Sequence, residues 1–156
     1  AVALLSAVGA IAEGFQVALM APTEILAEQH HRNALKLYGT KLPIALLTGR
    51  TTNKERTEIL NQLAGGKPML LIGTHALIED DVVFKSLSLI MIDEQHRFGV
   101  EQRRTLRKKG LRQDERSKKL VTPHFLVLTA TPIPRTLALT AYGDLAVSLI
   151  KEMPPG

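Results

Sequence analysis

Short, mostly apolar runs alternate along the chain with longer segments in which apolar positions recur every three or four residues. The runs 16–21, 44–47, 69–72, 87–92, 124–128 and 145–150 end at Pro, Gly, Thr or charged residues and read as buried strands. Residues 1–13 form an Ala- and Leu-rich helix that Gly14 stops. Thr23 caps the next helix, which carries Ile25, Leu26, Leu35 and Leu37 and ends before Gly39. Asn53 opens a third, with Ile59, Leu60 and Leu63 on one face and Gly65-Gly66 closing it. Residues 100–109 make a fourth, and Pro134 sits in the first turn of a fifth that runs through Tyr142. Residues 111–123 read as a polar loop.

Apolar strands alternating with helices predict an α/β fold, a parallel sheet with helices on both faces. In such sheets ligands bind beyond the carboxyl ends of the strands. Those ends carry Pro22-Thr23-Glu24, Thr48-Gly49-Arg50, Gly73-Thr74-His75, Asp93-Glu94 and Thr129-Ala130-Thr131. Polar side chains are thereby expected along one edge.

Composition narrows the class. With 156 residues, 45% of them hydrophobic and 22% charged, the chain makes one globular domain or part of a larger protein. It contains no cysteine, which excludes disulfides, thiolate metal sites and a cysteine nucleophile. The apolar stretch 1–12 is too short to span a bilayer and has no basic flank. The start at Ala1 and the ending Met153-Pro154-Pro155-Gly156 read as cuts from a longer protein.

Charge changes the picture once it is localised. The net charge is +5, yet between Arg97 and Lys119 ten basic residues face three acidic ones, +7 against −2 for the rest. Such a block suits a polyanion, with counterion release supplying affinity, and equally suits a solvated helix and loop. Arg103, Arg104, Arg107, Lys108 and Lys109 are expected on an exposed helix that adds duplex affinity. The six aromatics are scattered singly, so no base-stacking platform is visible.

The most specific chemistry lies in Leu89-Ile90-Met91-Ile92-Asp93-Glu94-Gln95-His96. Two acids at the end of an apolar strand stand at the sheet rim, where one can hold hydrated Mg²⁺ beside phosphates and the other can take a proton from water. Alone, an Asp-Glu pair after a strand usually just opens a loop. Thr129-Ala130-Thr131-Pro132 offers small hydroxyls to a neighbouring polar group, or simply caps a turn. Pro22-Thr23-Glu24 begins a helix whose free N–H groups suit a phosphate, or form an ordinary cap. His75 and His96 lie at strand ends and favour function; His30 and His31 are expected exposed in mid-helix, and His124 structural. Without cysteine or a His-x-x-x-His pair, a structural zinc site does not fit.

Taken in order, these strand-end motifs resemble the first motor domain of superfamily 2 helicases. The stretches 93–103 and 129–138, with Thr140-Ala141-Tyr142-Gly143-Asp144-Leu145 and the Met153-Pro154-Pro155-Gly156 ending, are similar to the RecG branch of bacterial ATP-dependent DNA helicases. The resemblance implies a RecA-like sheet, ATP and Mg²⁺ as cofactors, and forked or branched DNA as partner. It further implies a cytoplasmic, nucleoid-associated bacterial protein without a membrane partner; single-strand-binding and other fork proteins are left open. By the same resemblance Asp93 contacts Mg²⁺ through water, and Glu94 positions and deprotonates the attacking water. Gln95 and His96 link the nucleotide to Thr129 and Thr131. Pro22, Thr23, Glu24, Gly49, Arg50, Gly73, Thr74 and His75 touch the DNA sugar-phosphate track, which positions a strand without reading it.

The sequence departs from that family at one point. No Gly-x-x-x-x-Gly-Lys-Ser/Thr occurs; Gly65-Gly66-Lys67-Pro68 comes nearest but precedes a strand and has proline where a hydroxyl is needed. The strand leading into that phosphate loop is absent with it, so the sheet is expected to be incomplete and the chain alone inactive and poorly stable. Two further readings stay open: a transcription-repair coupling translocase, and a non-catalytic nucleic-acid-binding module.

Overall fold

A computed structural model of the chain describes residues 2–94, 100–113 and 118–129. Local chemistry sets the helix limits. Helix α1 (Val2–Ala12) ends where Gly14 turns with φ +88°, and the Phe15 N–H reaches back to the Ala10 carbonyl at 3.0 Å. Helix α2 (Glu24–Tyr38) starts at Thr23, whose hydroxyl accepts from the Leu26 N–H at 3.3 Å. Helix α3 (Asn53–Ala64) opens on a reciprocal box between Thr52 and Glu55. The hydrogen bonds from Thr52 hold the Glu55 carboxyl below its ordinary range. Helix α4 (Val100–Lys109) places three basic residues in its last turn, where the helix dipole favours them.

Five strands, β1 (Gln16–Met20), β2 (Ile44–Leu47), β3 (Leu70–Gly73), β4 (Leu87–Asp93) and β7 (His124–Leu128), form one parallel sheet. Its order is β2-β3-β1-β4-β7, so β1 lies in the centre, with Val17 opposite both Leu70 and Leu89. Alternate side chains of β1 serve two cores. Val17 and Leu19 pack with Ala7 and Ile11 of α1 and Ala27 and Ala34 of α2. Ala18 and Met20 pack with Leu63 of α3 and Leu106 of α4. Helices therefore cover both faces, as the alternation of the sequence predicts.

Two features depart from the sequence reading. The third strand is displaced by one residue, because Gly73 still pairs with Leu47 and Met20 instead of breaking the ladder. Residues 111–123 contain a short antiparallel pair, β5 (Arg112–Gln113) and β6 (Leu120–Val121), where a polar loop was expected. With two residues a side, such a pair is too short to leave a periodic signal. Among the described residues the sheet is continuous, with β2 and β7 as its two edge strands.

One polar side chain is wholly enclosed. Gln16 donates from Nε2 to the carbonyls of Leu63 (2.8 Å) and Lys67 (3.2 Å) and accepts the Ser86 N–H at Oε1 (2.9 Å). It thereby ties the end of α3 to the residues that lead into β3 and β4. Each of these groups would cost about 1–3 kcal/mol if left buried without a partner.

Candidate nucleotide and nucleic-acid site

Because the five strands run parallel, their carboxyl ends share one edge, and the polar motifs that follow them gather there. Asp93 is the last residue of β4, paired with Leu128 of β7. Glu94 turns out of the strand with φ +51°, and its N–H donates to the Leu128 carbonyl at 2.9 Å. A left-handed φ is uncommon for a side chain without special tolerance, and such positions concentrate at functional sites. The bond also places the acidic turn beside Thr129, which is exposed at the end of β7.

Asp93 is not reached from β7 alone. Its Oδ2 accepts from Nε2 of His30 at 2.6 Å, with side-chain exposures of 17% and 30% for Asp93 and His30. An ionised carboxylate has no proton to give, so Nε2 carries the hydrogen. His30 was expected to be exposed; it lies instead on the inward face of α2, three residues after buried Ala27 and four before buried Ala34. That spacing was the signal available in the sequence. His31, beside it, is half-buried, and burial lowers its pKa.

At the ends of β1 and β2, Glu24 and Arg50 meet: Arg50 Nε lies 2.9 Å from Glu24 Oε2. Gly49 permits this approach, since a Cβ there would stand 3.1 Å from Glu24 Oε1. Thr48 is buried, and its hydroxyl accepts the Arg50 N–H at 3.2 Å, shaping the turn. Pro22 is half-buried and Thr23 exposed. At the end of β3 the three residues differ: Gly73 and Thr74 are buried, Thr74 with no partner for its Oγ1, while His75 is exposed. Gln95, His96 and Thr131 lie outside the described residues, as do the strand 145–150 and the helix after Pro134.

The basic segment is less uniform than its composition. Arg104, Arg107 and Lys108 are exposed, with Arg104 3.7 Å from Glu101 and the Arg107 guanidinium 5.7 Å from the centre of the Phe125 ring. Arg103 is half-buried. Lys109 corrects the expectation of an exposed cation: its Nζ donates to the carbonyls of Glu79 (2.7 Å) and Val82 (2.8 Å), and burial lowers its pKa. It serves the fold.

The donor set at the rim fits a hard cation held with nucleotide. Among the described residues no group of three or more His, Cys, Asp or Glu side chains converges to hold a metal ion on its own. Mg²⁺ usually keeps several waters and takes one or two carboxylates plus phosphate oxygens, which is what Asp93 at a solvated strand end offers. No helix among the described residues is long and apolar enough to cross a membrane.

Comparison with known proteins agrees with this layout. Residues 1–140 match the model of the DEAD/DEAH box helicase family. The chain is 53% identical over its whole length to the ATP-dependent DNA helicase RecG of Bacillus subtilis (strain 168), covering 22% of that protein. It is 51% identical to the RecG of Synechocystis sp., over 99% of the chain and 18% of the relative. Among solved structures, RecG bound to a three-way DNA junction superposes with a TM-score of 0.76 at 44% identity, over 99% of the chain and 19% of that structure's chain. The chain thus spans about a fifth of the length of these relatives. With the motifs in order on one sheet edge and the family model matched over 140 of its 156 residues, the chain belongs to the DEAD/DEAH box helicase family.

Proposed function

We infer that the chain is part of the first motor domain of an ATP-dependent DNA helicase of the RecG type, which remodels stalled forks and branched recombination intermediates in the bacterial cytoplasm. The observation that carries this reading is the Asp93-Glu94 turn fastened to the end of β7 by the Glu94 N–H, in a chain similar to RecG along its whole length. In this reading Asp93 holds a water of the Mg²⁺ shell, and Glu94 accepts the proton of the attacking water. Bound Mg²⁺ supplies neutralisation of the phosphate charge. Gln95 and His96, with Thr129 and Thr131, connect the acidic turn to the end of β7 and transmit the nucleotide state. Thr23, Arg50 and His75, exposed beyond three neighbouring strands, are the side chains best placed to track a DNA backbone. The buried Gly73 and Thr74 shape that surface from beneath.

The assay is made on the full-length protein. ATP-dependent unwinding of a forked duplex is expected, with no displacement of a stalled RNA polymerase; the reverse result would assign it to transcription-coupled repair. The 156-residue polypeptide by itself contains no sequence that cradles the β- and γ-phosphates. It is expected to show no DNA-stimulated ATP turnover, and measurable turnover from it would contradict the assignment of roles.

A further inference from the structure

We propose that His30 is a positioning residue for the motor, holding the Asp93 carboxylate in the orientation that receives hydrated Mg²⁺. The proposal rests on the functional reading above and adds to it a residue from a different element. The geometry is specific: Nε2 of His30 takes Oδ2 of Asp93 at 2.6 Å, across 63 residues of sequence. Asp93 ends a strand, where a short side chain has rotational freedom and solvent on one side. Fixing one oxygen by an N–H donor leaves the other free to accept from a metal-bound water in one defined direction.

The donor itself is well anchored. Ala27 and Ala34, one turn to either side of His30, are fully buried against the sheet, so α2 cannot rotate the ring away without opening that core. Helix α2 also begins at Thr23 and Glu24, beside Arg50 at the proposed DNA edge. His30 lies six residues farther on, about 9 Å along the helix axis. The same rigid element therefore carries a DNA-facing end and the group that orients Asp93. A displacement of its N-terminal end by DNA is felt directly at that carboxylate.

The test uses the full-length protein and measures the Mg²⁺ concentration needed for binding of a fluorescent ATP analogue. Loss of a partner behind a metal-directed ligand typically weakens affinity about 10- to 100-fold. His30→Ala and His30→Asn, whose amide is too short to reach, are expected to raise the Mg²⁺ requirement about tenfold. His30→Gln, which brings an amide N–H near the Nε2 position, should return it to within about threefold of the wild type. Melting temperatures of all three variants show whether the fold is kept. An unchanged Mg²⁺ requirement in His30→Ala overturns the proposal. So does a Gln variant as defective as Asn with both melting like the wild type. If the wild type itself binds nucleotide without any Mg²⁺ dependence, the functional reading falls, and this inference with it.

Discussion

In the full-length protein, Glu94→Gln is expected to lower ATP hydrolysis at least about 100-fold while nucleotide affinity stays within about twofold. The substitution keeps the size of the side chain and its capacity to hydrogen-bond, and removes only the ability to take up a proton. The backbone that carries it is held independently, by the N–H bond to the Leu128 carbonyl at 2.9 Å. A change of rate is thus chemical and not a displacement of the turn. Single-turnover hydrolysis, measured beside equilibrium binding of a nucleotide analogue, separates the two quantities. Turnover reduced less than tenfold would place the base elsewhere. A binding module that had kept the fold without the chemistry would show no effect at all.

The second expected result concerns the fold beneath that edge. Gly73→Ala should destabilise the protein by about 3 kcal/mol, because the added methyl has nowhere to go. A Cβ at Gly73 overlaps the Leu47 carbonyl oxygen, which belongs to the neighbouring strand, and stands 2.9 Å from Leu77 Cδ2. Backbone on one side and a buried leucine on the other leave no flexible atom to yield. The contrasting site is Gly49, exposed at the end of the adjacent strand, where the nearest neighbour is a carboxylate oxygen of Glu24 that can swing aside. Gly49→Ala should stay within about 0.5 kcal/mol of the wild type. Thermal unfolding of the two variants under one condition makes the comparison. A Gly73→Ala protein that melts with the wild type would show that the end of β3 is looser than its packing indicates.

The contrast between these two glycines shows what the sequence can and cannot disclose. Mostly apolar runs bounded by breakers located Ile44–Leu47 and His124–Leu128 at their observed limits, because strands of a parallel sheet carry apolar side chains in succession even where, as in these two edge strands, their burial is partial. The same rule misplaced the end of β3, since a glycine that breaks one strand can, in another, be the residue that allows two strands to approach. That Asp93, Glu94 and Thr129 lie together was legible because a parallel sheet forces strand ends to one edge. His30 was not. Its place on the inner face of α2 follows from Ala27 and Ala34, but its partner lies 63 residues away and is supplied only by the order of the strands. Lys109 was misjudged for a related reason: basic composition counts charges, whereas two carbonyls of the 79–82 turn decide that this ammonium is consumed inside the fold.

The central position of β1 has a bearing on how the chain reaches this structure. Neither of its neighbours is adjacent in sequence: Val17 pairs with Leu70 on one side and Leu89 on the other. During synthesis its apolar residues therefore emerge some fifty residues before any strand that can complete a ladder with them. Such non-local pairing is slow, because the entropy of closing a long loop is spent before the first contact is made. In that interval both sides of β1 are open to wrong partners, which makes Gln16–Met20 the segment where early misassociation would begin. The amide of Gln16 at its start is hydrated until α3 and the approach to β4 supply its partners, so burying β1 before they arrive would strip that water without replacement and is disfavoured.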